Sequence, residues 1–467
     1  MWELAVVGLC LVAIIGAYFG NNPLRHGRRF IWRRFYNWFP LGMTYSFLYM
    51  GRYNLVSCKT ALGGAMSNDQ FGNIFGIGTA VYALSFLING PFVDWIGGKR
   101  GILISGFGVV IMNVLLGFLT LRVTAGAWHG GIVLPYALLY AGNMYFQSYG
   151  ACSIIKVKSY WFHVRERGVF GAIFGSLISL GLYFAFDWNA AIVKHISIPA
   201  VFFIPAGIIL LWTISDLWAV VDTPEEAGFA SFDTHDASSG HMDDRYSYLQ
   251  LLGKVFASPL MWMVALLELT SGVFRNGVQQ WYPVLAVQVP AAATRFISHN
   301  WGFLLCVTGI AAGFGAGLAS DKLFQSRRGP PAGILCGLVL VLSLTMWFTF
   351  RAHPWMFGGA AIIVVMGSVG ITSLMSGTAA TDFGGRKATA TCAGVVDGFA
   401  YLGSSIQSVC LGHVTEGHWH WWPLFFVPFA ILGGGIALRI WNDLPPATRR
   451  YIQEVELKNQ AAEAAVV

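Results

Sequence analysis

Charged residues are scarce in this sequence. Lys, Arg, Asp and Glu together make up 11% of the 467 residues, whereas hydrophobic residues make up 56%. This is about half the charged share of a soluble domain, which leaves no room for a large soluble catalytic domain. The chain also lacks a G-x-x-x-x-G-K-[ST] phosphate loop, and its seven cysteines show no C-x-x-C spacing. We therefore expect no enzyme activity, no cofactor, no metal site and no disulfide framework.

Long apolar stretches are what the sequence has instead. About thirteen of them are long enough to cross a ~30 Å hydrocarbon layer, and none shows the period of two that is typical of barrel strands. The sequence therefore predicts an all-α polytopic membrane protein. The predicted spans are 3–20, 38–62, 71–95, 100–121, 131–157, 168–188, 196–221, 256–287, 299–320, 331–351, 355–379, 390–413 and 420–442.

The basic residues lie mostly on alternate loops. Segments 21–37, 98–100, 165–167, 245–254, 322–328 and 386–387 and the tail 443–467 carry most of the Lys and Arg, and the positive-inside rule places them in the cytoplasm. The net charge of +7 then reflects attraction to an anionic lipid leaflet, not nucleic-acid binding. We expect a multi-pass protein of a bacterial inner membrane with a cytoplasmic C-terminus.

The chain divides into two halves around a hydrophilic stretch. Residues 222–255 are predicted to form a cytoplasmic linker between six-helix bundles at 38–221 and 256–442, followed by a tail at 443–467. Residues 1–37 form an extra transmembrane helix with a basic segment. The acidic start "MWE" and the absence of a cleavage site favour a retained helix over a signal peptide, although an interfacial or cleaved segment stays possible.

A short motif occurs at the same place in each half. "NGPFVDWIGGKR" joins the second and third core helices of the first half, and "AGLASDKLFQSRRG" does so in the second. Glycine allows close helix approach, and we expect the aspartate at the helix end to meet the cations that follow it. These conformational-gate residues are Gly90, Asp94, Lys99 and Arg100 in the first half and Gly317, Asp321, Lys322 and Arg327 in the second.

Two arginines lie in the middle of apolar runs. Arg52 and Arg275 each precede the motif aspartate of their half by a similar distance, so each lies on the first core helix. A pseudo-twofold axis along the membrane normal would place them opposite each other. A single intramembrane arginine is often structural, paired or snorkelling, but a matched pair predicts a cationic clamp at mid-membrane. Two guanidinium groups suit a phosphate monoester through bidentate bonds.

The sequence resembles the organophosphate:phosphate antiporters of the major facilitator superfamily, which include glycerol-3-phosphate and hexose-phosphate transporters. The resemblance rests on the two motifs above and on "LYMGRYNL", "FRNGVQQWYP", "YWFHVRERG", "DTPEEAGF" and "AGVVDGFAYLGSS". It implies the major facilitator fold, with two pseudo-symmetric six-helix bundles, here with one extra N-terminal helix. It also implies that Arg52 and Arg275 bind phosphate.

The resemblance further implies that Tyr45, Tyr49 and Trp281 are the aromatic residues beside the site. Three polar residues expected from the family are absent, because Phe86, Ile178 and Gln280 stand where a lysine, a histidine and an acid are usual. From the residues themselves, Gln279 shares a polar stripe with Arg275. Lys156, with Asn143 and Gln147 on the same predicted helix, is either a further ligand or a lysine that snorkels to the interface.

Two acidic residues in the second half add an alternative. Asp397 either neutralises Arg275 or carries a coupling proton, and Glu268 is a second coupling candidate. The predicted function is therefore transport of an organic phosphate by alternating access in exchange for inorganic phosphate, by a monomer that interacts with the lipid bilayer. Proton-coupled symport of an organic anion or sugar derivative, and sugar-phosphate sensing by a transporter-like protein, stay open.

Overall fold

The computed structural model describes residues 2–20, 22, 24–163, 166–230, 253, 257–324, 327–383 and 385–442. Within these ranges the side chains of 2–4, 6–7, 167–172, 314, 317–322 and 377–393 are not described. The described residues form helices and connecting segments, and no β-strand occurs among them. The predicted all-α architecture is confirmed.

The first half consists of a long extra helix and the six core spans. Helix α3 starts with a capping box, in which Ser67 Oγ accepts a hydrogen bond from the Gln70 N–H at 3.1 Å and Gln70 Oε1 accepts one from the Ser67 N–H at 3.0 Å. A π-helical turn at Phe184–Trp188 joins α6 and α7 into one span. The helices are α1 (Trp2–Gly20), α2 (Arg28–Leu62), α3 (Asn68–Ile96), α4 (Gly98–Thr124), α5 (Val133–Trp161), α6 (Arg167–Tyr183), α7 (Asn189–His195) and α8 (Ala200–Ala219).

The second half has six core spans but no counterpart of α1 among the described residues. The first of its helices begins with Ser258, whose hydroxyl accepts a hydrogen bond from the Met261 N–H, and with Pro259 at the first helical position. The helices are α9 (Pro259–Gln279), α10 (Trp281–Gln288), α11 (Arg295–His299), α12 (Trp301–Leu323), α13 (Gly329–Thr349), α14 (Pro354–Phe383), α15 (Gly385–Val414) and α16 (Val427–Arg439). Short 3₁₀ turns at Trp419–Trp421 and Pro423–Phe426 precede α16.

Hydrophobic length alone identifies only part of this architecture. Among the described residues, seven helices are long and apolar enough to cross a membrane. Helices α2 and α5 are not among them, because they carry polar residues such as Arg52, Asn143 and Gln147. Residues 28–37, which the sequence assigns to a basic segment, continue α2 as a regular helix.

The predicted span 256–287 contains two helices, α9 and α10, separated by the single residue Gln280. Pro283 has no N–H to donate to the Gln279 carbonyl four residues earlier. That carbonyl instead accepts a hydrogen bond from the Trp301 indole at 3.1 Å. The indole thus supplies the hydrogen bond that Pro283 cannot donate.

The two halves pack through matching helix pairs. Helix α3 lies along α15, and α6 lies along α12. Gly72 and Gly412 bring the backbones of α3 and α15 together: a Cβ at Gly72 would lie 2.7 Å from the Gly412 Cα. Close approach of this kind requires small residues at the contact. The pairing is therefore tightest near residues 68–72 and 408–415, at the end that the charge pattern predicts to face outward (the predicted outer end).

The extra helix α1 is anchored at the opposite end of the bundle. Tyr18 donates a hydrogen bond to the Ile31 carbonyl at 2.7 Å and accepts one from Arg34 Nε at 3.1 Å. Arg34 also forms a buried ion pair with Glu166, with 2.9 Å between Nη1 and Oε2. Burial raises the pKa of the Glu166 carboxyl, but hydrogen bonds from His26 and Arg34 outweigh this effect and lower the pKa to about 2.

The first gate motif is held differently from the sequence-based expectation. Asp94 does not pair with the following cations, because its partner is Lys156 on α5, at 3.0 Å between Nζ and Oδ1. Lys99 takes part through its backbone, whose N–H donates to Asp222 Oδ1 at 2.7 Å. Gly90 is buried in α3, and Arg100 lies in the first turn of α4. In the second motif, the side chains of Gly317, Asp321 and Lys322 lie outside the described residues, whereas Arg327 lies in the segment between α12 and α13.

Candidate substrate-binding site

Arg52 lies at the centre of the bundle and is only 1% exposed. Its Nε donates to Gln147 Oε1 at 2.7 Å, and its two terminal nitrogens donate to the hydroxyls of Tyr401 at 2.6 Å and Tyr82 at 2.9 Å. None of these described partners is a carboxylate, so the positive charge is oriented but not neutralised. Burying a cation in a span costs at least ~2.5–3.5 kcal/mol, which favours a functional reason for its presence.

The backbone around Arg52 is fixed by polar residues of neighbouring helices. Tyr140 donates to the Arg52 carbonyl at 3.0 Å, and Asn143 donates to the Gly51 carbonyl at 3.0 Å. Asn113 on α4 donates to Asn143 Oδ1 at 3.2 Å. Two of the predicted ligands thus have clear structural roles: Asn143 positions α2, and Gln147 orients the guanidinium.

Aromatic rings surround the Arg52 guanidinium. Its Cζ lies 4.5 Å from the Tyr49 ring centroid, 4.7 Å from that of Tyr82 and 5.6 Å from that of Tyr401. Tyr45, one turn before Tyr49, packs edge-on against it at 5.5 Å between ring centroids. Rings at these distances stabilise a cation through their negative faces without adding net negative charge.

Arg275 lies on the other half and faces the same tyrosine. Its Cζ is 5.6 Å from the Tyr401 ring centroid, the same distance as that of Arg52. The two guanidinium carbons are therefore at most twice 5.6 Å apart. Unlike Arg52, Arg275 is partly exposed. The structure thus brings the two predicted arginines together at the interface between the halves.

The residues that follow Arg275 connect the halves. Tyr53 on α2 donates to Asn276 Oδ1 at 2.7 Å, and its hydroxyl lies 3.5 Å from Gln279 Oε1. Asn276 in turn donates to Ser404 on α15. Gln279 is buried on the predicted polar stripe, so this predicted ligand lies one turn from Arg275, beside the contact between α2 and α9.

Two predicted ligands have their described contacts elsewhere. Trp281 is fully buried; its indole donates to Gln407 at 3.2 Å, and its ring packs against Phe71 at 5.3 Å between centroids. Lys156 is paired with Asp94. Neither side chain shares a described contact with Arg52 or Arg275, so their role as ligands stays a prediction.

Sequence reasoning missed Tyr82 and Tyr401. Their rings contact each other at 4.3 Å between centroids, edge to face, and both hydroxyls accept a hydrogen bond from Arg52. A signal was present, because Tyr401 lies within "AGVVDGFAYLGSS" one turn after Asp397, and Tyr82 lies one turn before Phe86. A lone tyrosine in an apolar helix has no distinctive periodicity, however, and only the packing of α3 on α15 brings these two together.

The coupling candidates lie on the Arg275 side of the site. Glu268 on α9 is completely buried, and Asp397 on α15 is partly buried. Each carboxylate interacts electrostatically with Arg275, and the two carboxylates interact with each other. Two cationic and two acidic groups therefore share the centre of the bundle.

The predicted outer end is closed by a pair of symmetry-related helix caps. Asp187, between α6 and α7, accepts hydrogen bonds from the Gly302 N–H at 2.7 Å and the Phe303 N–H at 2.9 Å, at the start of α12. Glu416, after α15, accepts hydrogen bonds from the Asn68 N–H at 2.8 Å and the Asp69 N–H at 3.1 Å, at the start of α3. In both cases a carboxylate from one half satisfies free N–H groups at a helix N-terminus of the other half.

Comparison with known proteins finds one matching family and several relatives that align over most of the chain. The model of the Major Facilitator Superfamily matches residues 41–408. The chain is 24% identical to the membrane sensor protein UhpC of Salmonella typhimurium over 90% of this chain and 94% of that protein. It is 23% identical to a probable hexose phosphate transport protein of Chlamydia pneumoniae, over 89% and 92% of the two chains. It is 22% identical to the glycerol-3-phosphate transporter of Bacillus subtilis, over 80% and 85%.

A solved structure also shares the fold. It is the crystal structure of a bacterial homologue of the human lysosomal transporter Spinster, in an inward-facing and unoccupied conformation. The TM-score is 0.68, with 13% sequence identity, and the match covers 92% of this chain and 99% of the other. At this identity the likeness concerns the fold alone.

Proposed function

The chain belongs to the Major Facilitator Superfamily, and from this membership and the central site we propose that it exchanges a phosphorylated organic anion for inorganic phosphate. The observation that carries the proposal is the convergence of Arg52 and Arg275 on the ring of Tyr401. The names of the relatives support a sugar phosphate or glycerol phosphate as the organic anion.

Phosphate suits this site for a chemical reason. A phosphate group presents several oxygens to both guanidinium forks at once and accepts two parallel hydrogen bonds from each. Its negative charge offsets the repulsion between the two arginines, which belong to opposite halves. Bound anion therefore favours an arrangement in which the halves close around the site, and an empty site resists that closure.

Exchange follows if the carrier reorients only when it is loaded. In this mechanism the two six-helix bundles, at 38–221 and 256–442, rock about the central site so that each side of the membrane gains access in turn. The caps from Asp187 and Glu416 stabilise the state that is closed at the predicted outer end, and they must break for that end to open. We place the C-terminus in the cytoplasm and the protein in a bacterial inner membrane, as a monomer whose first helix is retained.

The experiment uses the purified full chain in proteoliposomes loaded with inorganic phosphate. Uptake of radiolabelled glycerol 3-phosphate, glucose 6-phosphate and phosphoenolpyruvate is measured for the wild type, Arg52→Lys and Arg275→Lys. We expect each substitution to lower exchange by about 10-fold to 100-fold, because a charge-assisted contact contributes about 1.5–3 kcal/mol. Near-normal exchange by either variant would disprove the clamp.

A sensor of sugar phosphate is a second candidate, and the similarity to UhpC, a membrane sensor protein, favours it. The same site would then bind its ligand without carrying it across the membrane. Isothermal titration of the detergent-solubilised chain with glucose 6-phosphate distinguishes the two functions. Binding without flux in the proteoliposomes supports sensing, whereas binding with flux supports transport.

A further inference from the structure

Two acidic side chains share one cation at the centre of the bundle. Glu268 on α9 and Asp397 on α15 both interact electrostatically with Arg275. Each also has a hydroxyl of α14 as a neighbour, from Thr372 and Ser376 respectively. When a phosphate takes up the hydrogen bonds of Arg275, the acids lose part of this neutralisation. A carboxylate without a counter-ion is costly in a buried site, so a bound phosphate makes a further positive charge beside the acids favourable.

The two acids differ in their exposure. Glu268 is 0% exposed, whereas Asp397 and Arg275 are both partly exposed at the interface between the halves. Asp397 also interacts with Tyr82 on α3, so it faces the first half. Asp397 is therefore the acid that a ligand of Arg275 can touch, and Glu268 adds negative charge from the interior of the second half.

A free hydrogen-bond donor lies on the other side of Arg275. Gln279, one turn further along α9, is 1% exposed, and its side-chain Nε2 has no hydrogen-bond partner among the described residues. Buried polar groups are normally hydrogen-bonded, so this N–H is free to donate to a ligand. Glu268, Arg275 and Gln279 are two turns and one turn apart, which places them on one side of the helix. The order along this side is an acid, a cation and a free donor.

This order matches a ligand with one anionic end and one cationic end. Its phosphate accepts hydrogen bonds from the two arginines and from Gln279, while a positive group on its organic part lies beside Asp397. The rings of Tyr82 and Tyr401, which lie next to Asp397 on α3 and α15, suit such a group because their faces attract cations. A hydroxyl at the same place brings no charge, and hydrogen bonds between ionised groups are roughly twice as strong as neutral ones.

We propose that the organic phosphate carried by this chain bears an ammonium group, which Asp397 binds while the phosphate lies between Arg52 and Arg275. The inference rests on the proposed function, because it names the class of the organic phosphate. Inorganic phosphate is small enough to leave room for water beside Asp397. The organic part of a phosphate ester displaces this water, so an ester without an ammonium group leaves Asp397 without a partner and binds less tightly.

The test compares phosphate esters that differ only in an ammonium or a hydroxyl group. The first pair is phosphoethanolamine and 2-hydroxyethyl phosphate, and the second is glucosamine 6-phosphate and glucose 6-phosphate. Isothermal titration of the detergent-solubilised full chain at pH 7 gives the affinity for each ester. In proteoliposomes loaded with radiolabelled inorganic phosphate, the efflux that each external ester causes gives the rate of exchange.

For the wild type we expect the ammonium ester to bind at least ~10-fold more tightly in at least one pair, and to cause faster efflux. Asp397→Asn should bring this ratio close to one. The ratio is measured within each variant, so a general loss of activity cancels. The matched control is Asp216→Asn, which changes another fully buried carboxylate, on α8, whose partner is Thr44, and it should keep the ratio of the wild type.

The two proposals fail in different ways. Efflux without any preference for the ammonium ester in either pair would overturn the ammonium site and leave the proposed exchange standing, and so would an unaltered preference in Asp397→Asn. Preferential binding without efflux would support the ammonium site and contradict exchange. Absence of both binding and efflux for all four esters would overturn both proposals. If Asp397→Asn does not fold, as judged by size-exclusion elution, the ratios of the wild type decide.

Discussion

At the scale of single residues, Tyr401 is the group that connects the two halves of the site. It comes from the second half, accepts a hydrogen bond from Arg52 of the first half at 2.6 Å, and presents its ring to both arginines at 5.6 Å. Because a hydroxyl can both accept from a guanidinium and donate to a phosphate oxygen, Tyr401 can exchange one partner for the other when the anion arrives.

We therefore predict that Tyr401→Phe lowers exchange by about 10-fold, because a hydrogen bond to a charged group contributes about 1.5–3 kcal/mol. The ring contacts stay, so folding is retained. The measurement is radiolabelled phosphate exchange in proteoliposomes. Tyr36→Phe, which changes a tyrosine that is 57% exposed, is the control and should exchange normally. Equal rates for the two variants would remove Tyr401 from the site.

The sequence identified some residues of the site better than others. Arg52 and Arg275 could be predicted because a permanent charge within an apolar run demands an explanation. Tyr82 and Tyr401 could not, since their role depends on a contact between helices of opposite halves. The partner of Asp94 was predicted wrongly for the same reason: Lys156 is adjacent only after α3 and α5 have packed.

At the scale of elements, the helices follow from the apolar runs, whereas their interruptions depend on tertiary bonds. Pro283 predicts an interruption of the helical hydrogen bonds after α9, but the sequence does not show that the Trp301 indole donates to the Gln279 carbonyl that the proline leaves without its helical donor. The start of α2 was missed because residues 28–37 carry four arginines, a composition that favoured a basic segment outside the membrane. One of them, Arg34, is buried by Tyr18 and Glu166, which are distant in the chain.

The network around Arg34 predicts a loss of stability when its acid is removed. Glu166→Gln leaves the buried Arg34 without its counter-ion, and breaking a buried pair in this way costs about 3–5 kcal/mol. We expect a lower unfolding temperature of the detergent-solubilised chain in a thermal-shift measurement at pH 7. Glu226→Gln, at an exposed glutamate, is the control. An unchanged unfolding temperature would mean that the Arg34–Glu166 pair does not stabilise the end of the bundle opposite the predicted outer end.

The Glu166 carboxyl makes the stabilisation by the Arg34–Glu166 pair dependent on pH. The folded state lowers its pKa from 4.5 to about 2, so ionised Glu166 stabilises the fold fully above pH 4.5. This contribution is lost as the pH falls through that interval towards 2. The difference in unfolding temperature between the wild type and Glu166→Gln should therefore shrink on acidification. A difference that stays constant down to the lower pH would contradict the assignment.

At the scale of the whole molecule, the two halves pack around the site through equivalent helix pairs. The contacts of α3 with α15 and of α6 with α12 are each completed by a carboxylate cap at the predicted outer end. Sequence symmetry predicted the halves and the opposed arginines. It did not predict the caps, because Asp187 and Glu416 lie outside any repeated motif and find their partners only across the interface.

The close backbone contact between α3 and α15 predicts a substitution that prevents closure at the predicted outer end. A side chain at Gly72 would collide with the Ser408 carbonyl oxygen and the Gly412 Cα, so Gly72→Leu forces α3 and α15 apart at the predicted outer end. We expect at least ~10-fold slower exchange in proteoliposomes, because a carrier that cannot close this end cannot complete its cycle. Gly337→Leu is the control, since no atom lies within 4 Å of a Cβ built there. Normal exchange by Gly72→Leu would mean that closure of α3 on α15 is not part of the transport cycle.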